Sequence, residues 1–352
     1  MALWLATLLA IGADAADAPP ARGFHTVVNV DGQMLVFGGI GAAPSAAAAG
    51  LRGEKTVRGA PLFNDLWAYN QTGNTWVELK IADPPAARQL HAASVVVGGD
   101  KMYVFYGWGA TGFLSDVCYY SVLESKWETA PVNGENKPVP RVSHTAVATD
   151  EGRILISGGF GQGTDHPLDD LWEYDPVTGT WSQRASLPPE AGRAGHSAVM
   201  VKDTMYVFGG KTAGGAQNDL WAYDRNSDTW QKVAASSGPG ARHLHTAATA
   251  NGKMVVFGGL DANGKELGDT WELDLNGTVW RKGQSLAQPL AAGDATNFTT
   301  SGVVSENGSM SNEKIFIFGG LSSGQPVDTV VIYTPGSWRS PSLAPVYQLL
   351  LD

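Results

Sequence analysis

Apolar residues in this chain come in short runs, not in the long periodic stripes of amphipathic helices. MLVF at 34–37 and IFIF at 315–318 are apolar at every position, and ILIS at 154–157 and MYVF at 205–208 each run into a Gly-Gly pair. Runs this short, bounded by Gly, Pro, Asn and Asp, predict β-strands. A strand with no polar face is expected to be covered on both sides.

The runs belong to a longer period. An Arg is followed three residues later by His, then by an apolar run ending in Gly-Gly, then by Asp-Leu-Trp-x-Tyr, then by a second Trp. One copy reads Arg141, His144, Gly158-Gly159, Asp170-Leu171-Trp172-Glu173-Tyr174 and Trp181. The next reads Arg193, His196, Gly209-Gly210, Asp219-Leu220-Trp221-Ala222-Tyr223 and Trp230. The second Trp recurs at 76, 127, 181, 230, 280 and 338, at intervals of 49 to 58 residues, which makes six copies. Each copy holds about four short strands. Four-stranded units repeated radially predict a β-propeller, whose closure leaves few exposed strand edges.

The Gly-Gly pair, the Tyr, and the Trp some 18–24 residues after the pair resemble the kelch repeat. The resemblance covers about residues 22–338 and implies an all-β, six-bladed kelch-type propeller with four antiparallel strands per blade. The blades are expected at about 22–80, 88–130, 141–185, 193–234, 242–284 and 294–338, with 339–352 as a tail. Blade 2 departs from the pattern: Tyr106-Gly107-Trp108-Gly109 replaces the Gly pair, and Cys118, expected to be buried, stands where the first Trp belongs. Blade 6 departs further. It has no Arg-x-x-His, carrying Asp294 and Asn297-Phe298 in that neighbourhood, and Asp328 is not followed by Leu-Trp. The exchange of strands between termini that closes many kelch rings is not evident.

Composition narrows the function. A net charge of -10 with no run of Lys or Arg speaks against general nucleic-acid binding. One Cys in 352 residues excludes an internal disulfide and any multi-Cys metal site. The apolar run at 3–11 is too short to span a bilayer, and the small-x-small sites at Ala13–Ala15 and Ala16–Ala18 follow it. Residues 1–18 therefore read as a cleaved signal peptide, which places the chain in the secretory lumen or outside the cell. Sequons at Asn70, Asn276, Asn297 and Asn307 point the same way. No membrane span is expected.

Five His residues (His25, His91, His144, His196, His245) share one repeat position, as a packing role demands. Asp65, Asp170 and Asp219, which precede Leu-Trp, read as turn residues bonding local backbone N–H groups. Arg22, Arg88, Arg141, Arg193 and Arg242 are the candidate binding residues. In an antiparallel meander of strands a, b, c and d, the b–c and d–a connections share one face, and these Arg residues end the d–a connections. Five cations at one mouth would attract an anion or a carboxylate-bearing peptide; the competing reading pairs each Arg with a nearby carboxylate or blade carbonyl. His243 and His166 lie on the same face outside the repeat register, as does the insertion at 40–63. Asp165, His166, Asp169 and Asp170 could in principle hold a metal, but no metal or cofactor is expected.

No Glu has Asp four residues after it, so the ferrous site that kelch resemblance would imply for a specifier protein is missing. The position of Cys118 likewise argues against the Tyr–Cys copper site of galactose-oxidase relatives. The leading expectation is a secreted kelch propeller that binds a protein segment or acidic ligand through its Arg-collared b–c/d–a face. The alternative is a small-molecule enzyme or enzyme-modifying protein, epimerase-like or specifier-like, with a pocket on that face.

Overall fold

Strands that are apolar on both faces must be covered twice, and radial stacking of sheets does this for every blade but leaves the axis open. The computed structural model describes residues 18–30, 33–42, 60–70, 75–96, 99–250, 252–275 and 279–283, with Gly73 and shorter stretches between 295 and 339. Apart from Ala18, the expected leader lies outside the described residues. So do residues 43–59 of the insertion, the sequons at Asn276, Asn297 and Asn307, and residues 340–352 of the tail.

The chain is an all-β propeller of antiparallel four-stranded blades. Blade 1 is a meander of Thr26–Val30 (a), Gln33–Phe37 (b), Leu66–Asn70 (c) and Thr75–Leu79 (d), running from the axis outward. Blades 2 to 5 repeat it from Ala92–Val95 to Lys126–Thr129, Thr145–Ala148 to Thr180–Arg184, Ser197–Val201 to Thr229–Val233, and Thr246–Ala250 to Val279–Lys282. Five blades are thus complete among the described residues, against the six that the repeat count predicts. The region of the sixth copy is described only in part, where Val304–Ser305, Ile315–Phe318, Val330–Thr334 and Ser337–Arg339 pair in the same order. Blade 1 takes all four strands from one continuous segment, so no strand is exchanged into it from the C-terminus.

The core is a series of interfaces between blades. Val28, Leu35, Phe37 and Leu66 of blade 1 pack on Met102, Val104, Cys118 and Tyr120 of blade 2. On its other side, Val27, Met34, Val36, Trp67 and Trp76 pack on Phe318 and Val330. The b strands of blades 1 to 5 are buried beyond their first positions, with Tyr206 the one half-buried exception among the described residues, because both of their faces meet a neighbouring sheet. Of the repeated second Trp, Trp76, Trp181 and Trp280 are buried, whereas Trp127 and Trp230 are half-buried. Cys118 belongs to the blade 1–2 interface, where burial pushes its thiol pKa up to about 12. That marks a packing residue, not a reactive one.

The repeated His locks one blade to the next. His91 Nε2 lies 2.8 Å from Thr26 Oγ1, His196 Nε2 3.0 Å from Thr145 Oγ1, and His245 Nε2 2.9 Å from Ser197 Oγ. In each case the hydroxyl belongs to the first a-strand residue of the preceding blade. His25 instead reaches the Phe318 carbonyl at 2.9 Å. Blade 2 has Ala92 at the hydroxyl position, and neither ring nitrogen of His144 has a hydrogen-bond partner among the described residues. Burial, then the neighbouring Arg, holds the His25 and His196 pKa values down at about 3, against an ordinary 6.5. His91, His144 and His245 are lowered in the same way.

Two outcomes follow. Ala92→Ser should supply the missing hydroxyl to His144 and raise stability by about 1 kcal/mol, the usual net value of one such bond, in urea unfolding. No gain in a folded variant would show that the seam is satisfied in some other way. The second concerns acid. These His residues are neutral in the fold with pKa values below those of the unfolded chain, so the unfolded chain binds more protons. Stability should therefore be full above pH 6.5 and decline as pH falls toward 3. Urea midpoints that stay flat between pH 6.5 and 4 would contradict this.

Candidate functional site

The b–c and d–a loops form one face of the propeller, and its construction starts from the Arg residues. Arg22, Arg88, Arg141 and Arg193 are fully buried, and Arg242 is 1% exposed. A buried guanidinium is tolerable only when paired and hydrogen-bonded. In blade 3, Arg141 Nη1 donates to the Gly158 carbonyl at 3.0 Å and to Asp170 Oδ1 at 2.6 Å. Its Nη2 donates to Asp170 Oδ2 at 2.7 Å, and its Nε to the Val139 carbonyl at 3.1 Å. Arg22–Asp65, Arg193–Asp219 and Arg242–Asp269 repeat the arrangement. The same Asp accepts the indole N–H of the Trp two residues on, at 2.6–2.8 Å for Trp67, Trp172, Trp221 and Trp271.

This corrects two expectations. The collar of binding cations at Arg22, Arg88, Arg141, Arg193 and Arg242 is a set of buried ion pairs, and none of these five guanidinium groups faces solvent. Strand order correctly places the Arg residues on this face but does not say where their side chains point. The Asp before Leu-Trp, read as a local turn residue, instead receives Arg and Trp side chains. Each Arg main chain also ties blades together: the Gly39, Gly107, Gly159, Gly210 and Gly320 amides donate to the carbonyls of Arg88, Arg141, Arg193, Arg242 and Arg22 at 2.8–3.1 Å.

Blade 2 shows the cost of losing one member. With Cys118 in the Trp position, Asp116 Oδ1 has no hydrogen-bond partner among the described residues, and Arg88 meets the carboxylate through Oδ2 alone, at 2.5 Å. Tyr106 replaces the first Gly of the pair and takes its positive φ of 54°, a region that side chains rarely adopt. Its carbonyl still accepts from Arg88 Nη1 at 2.9 Å, and its ring stacks on Trp181.

Inside the Arg ring, a girdle of backbone bonds closes the axis. Phe24, Leu90, Ser143, Gly195 and Leu244, each just before the repeated His, all have φ between 55° and 61°. The Leu90 amide donates to the Phe24 carbonyl, Ser143 to Leu90, Gly195 to Ser143 and Leu244 to Gly195, at 2.6–3.0 Å. The Phe24, Leu90 and Leu244 side chains fill the centre with Ile40, Val142 and Phe160. Half-buried Leu62, Trp108, Phe113 and Leu260 surround them, with Trp108 edge-on to Phe113 at 4.9 Å. The face is therefore apolar at its centre, where cations were expected. Sequence carried a signal for this, an apolar residue directly after the Gly pair (Ile40, Phe160, Leu260, and Trp108 after Gly107), in a loop where polar residues are the norm.

The two His residues outside the repeat register do not converge. His243 is 9% exposed and paired along the backbone with Leu260; burial and Lys211 lower its pKa to about 4. His166 is largely exposed and lies 2.6 Å from Asp165 Oδ1. Asp170 is committed to Arg141 and Trp172, which takes it out of any metal set with these two. Among the described residues, no three His, Cys, Asp or Glu side chains are placed to hold a metal. Below the plug, the axis holds a cavity of about 250 Å³, lined by a-strand residues such as Val28, Ser94, Val147, Met200 and Thr249. No titratable side chain lines it among the described residues.

Residues 11–217 match the family model described as the Attractin/LZTR1 beta-propeller, and residues 202–332 match that of the DUF6242 beta propeller domain. Kelch domain-containing protein 1 of Mus musculus is 32% identical over 151 residues, 42% of this chain and 36% of that protein. Multiple epidermal growth factor-like domains protein 8 of Mus musculus is 30% identical over 213 residues, 57% of this chain and 7% of that protein. Leucine-zipper-like transcriptional regulator 1 of Mus musculus is 30% identical over 158 residues, 42% of this chain and 18% of that protein. The chain thus spans about a third of the length of the first of these relatives.

Removing one partner of a buried ion pair strands the other. Arg141→Met should cost about 3–5 kcal/mol in urea unfolding. Arg88→Met should cost measurably less, because the Asp116 side chain is 38% exposed against 17% for Asp170, so water can take up the stranded carboxylate. Equal costs, or no cost at Arg141, would remove the ion pair from its structural role.

Proposed function

Because this chain belongs to the Attractin/LZTR1 beta-propeller family, a kelch-type propeller, we propose that it is a protein-binding module whose partner docks on the b–c/d–a face. The observation that carries this reading is the half-buried apolar ring of Leu62, Trp108, Phe113 and Leu260 around the plug. Aromatic and aliphatic side chains at the centre of a loop face, with a polar rim such as Asp165, His166 and Lys211, have the anatomy of an interface core. The partner is a protein segment with an apolar anchor. The acidic-ligand version rested on exposed guanidinium groups, and those are buried. An enzymatic reading draws no support from the axial cavity, whose described lining offers no acid or base.

Two further features belong to the same proposal. A sixth blade closing the ring is favoured by contacts of Val304–Ser305 with the a strands of both blade 5 and blade 1, and by the Gly320 amide on the Arg22 carbonyl. The short apolar run at 3–11 and the sequons support passage through the secretory route.

The test compares the wild type with Trp108→Ala/Phe113→Ala in a pull-down, followed by affinity measurement with the captured protein. Loss of two central anchors should weaken binding at least tenfold while the melting temperature shifts little, since both side chains are half-exposed. Unchanged affinity in the folded variant would move the site off this face.

A further inference from the structure

Below the plug, the a strands of the five complete blades stand around the axis. Each is the end strand of its sheet, hydrogen-bonded to strand b on one side alone, and neighbouring a strands adjoin one another. In an antiparallel pair, alternate residues aim their N–H and C=O groups away from the partner strand. On the a strands those groups point to the axis, so the sheets turn their unpaired inner edges toward one shared space. That space is the cavity of about 250 Å³, whose wall includes Val28, Ser94, Val147, Met200 and Thr249. Phe24, Leu90 and Leu244 precede the a strands and close the end toward the b–c/d–a face, which leaves the a–b end as the way in.

The chemistry of this wall selects its occupant. Main-chain edges from five blades offer donors and acceptors together, and an apolar molecule would leave them unpaired. A charged molecule would meet no counter-ion, because no titratable side chain lines the cavity among the described residues. The space lies below the roughly 300–1,000 Å³ of sites for drug-sized ligands and equals about eight waters at roughly 30 Å³ each. Hydroxyl groups both donate and accept, so a molecule dense in them reproduces the bonds of the waters it displaces. We propose that the axial cavity binds a small neutral polyhydroxylic molecule, of monosaccharide size or less, held by the inner edges of the a strands. This site is separate from the docking face, on the other side of the plug.

The test measures binding of D-glucose, D-ribose and glycerol to the wild type by saturation-transfer NMR and calorimetry, with D-glucuronate as a charged counterpart. At least one neutral polyol should bind, and glucuronate should bind at least tenfold more weakly than glucose, since its carboxylate would be buried without a partner. Ala146→Leu and Thr249→Leu each add bulk at a half-buried position of the wall. Both should weaken the polyol at least tenfold, with melting curves checking that each variant is folded. Trp108→Ala/Phe113→Ala, which alters the docking face, should leave polyol binding unchanged. The proposal is overturned if none of the three binds the folded wild type, so that water alone fills the axis. Equal binding of glucuronate, or undiminished binding in both folded cavity variants, also overturns it. A crystal of the unaltered protein soaked in the same polyols gives a readout that does not depend on variant folding. Polyol density inside the ring of a strands supports the site, and density elsewhere or ordered water alone refutes it.

Discussion

A guanidinium that water does not reach organises each of the five complete blades. Burying an Arg side chain is strongly unfavourable unless its charge is neutralised and its N–H groups are bonded, so the surrounding chain must deliver a carboxylate and carbonyls to one spot. The b–c loop supplies both. The first residue of the Gly pair presents its carbonyl, the Asp before strand c presents two oxygens, and the Trp two residues later holds that Asp in place. The Arg main chain then accepts from the preceding blade, so one residue fixes a loop within its blade and joins two blades together.

This constraint explains the repeat as a set of coupled positions. A change at one member leaves a measurable gap at another, as the half-partnered Asp116 beside Cys118 shows. The His seams behave in the same way. Ala92 leaves His144 without a hydroxyl, and the sixth copy leaves Thr246 without an imidazole. Depressed His pKa values are a by-product of this packing: the rings are neutral because they are buried beside cations, and they mark seams and not catalysis.

With cations and imidazoles absorbed into the frame, the b–c/d–a face is left with other chemistry. Its axis is plugged by Phe24, Leu90 and Leu244 and bordered by Trp108 and Phe113. A plug of this kind stiffens the centre of the face while the long b–c loops remain free to vary around it. This is the division of labour expected when a rigid scaffold carries a binding surface.

The sequence by itself determined the fold class, the blade period, and which residues repeat together, because a radial stack imposes the same contacts on every copy and so prints them at regular spacing. It also determined which face the Arg residues occupy, since strand alternation is a local rule. What only the tertiary structure decided was the direction of those side chains. Arg141 and Asp170 are 29 residues apart and could have met each other or solvent equally well; their pairing follows from loops brought together by the sheet. The apolar centre was legible only in pieces, for the same reason. Ile40, Trp108 and Leu260 each show in sequence as an apolar residue in a b–c loop, and with Leu90 they become one surface only where five blades converge on a single axis.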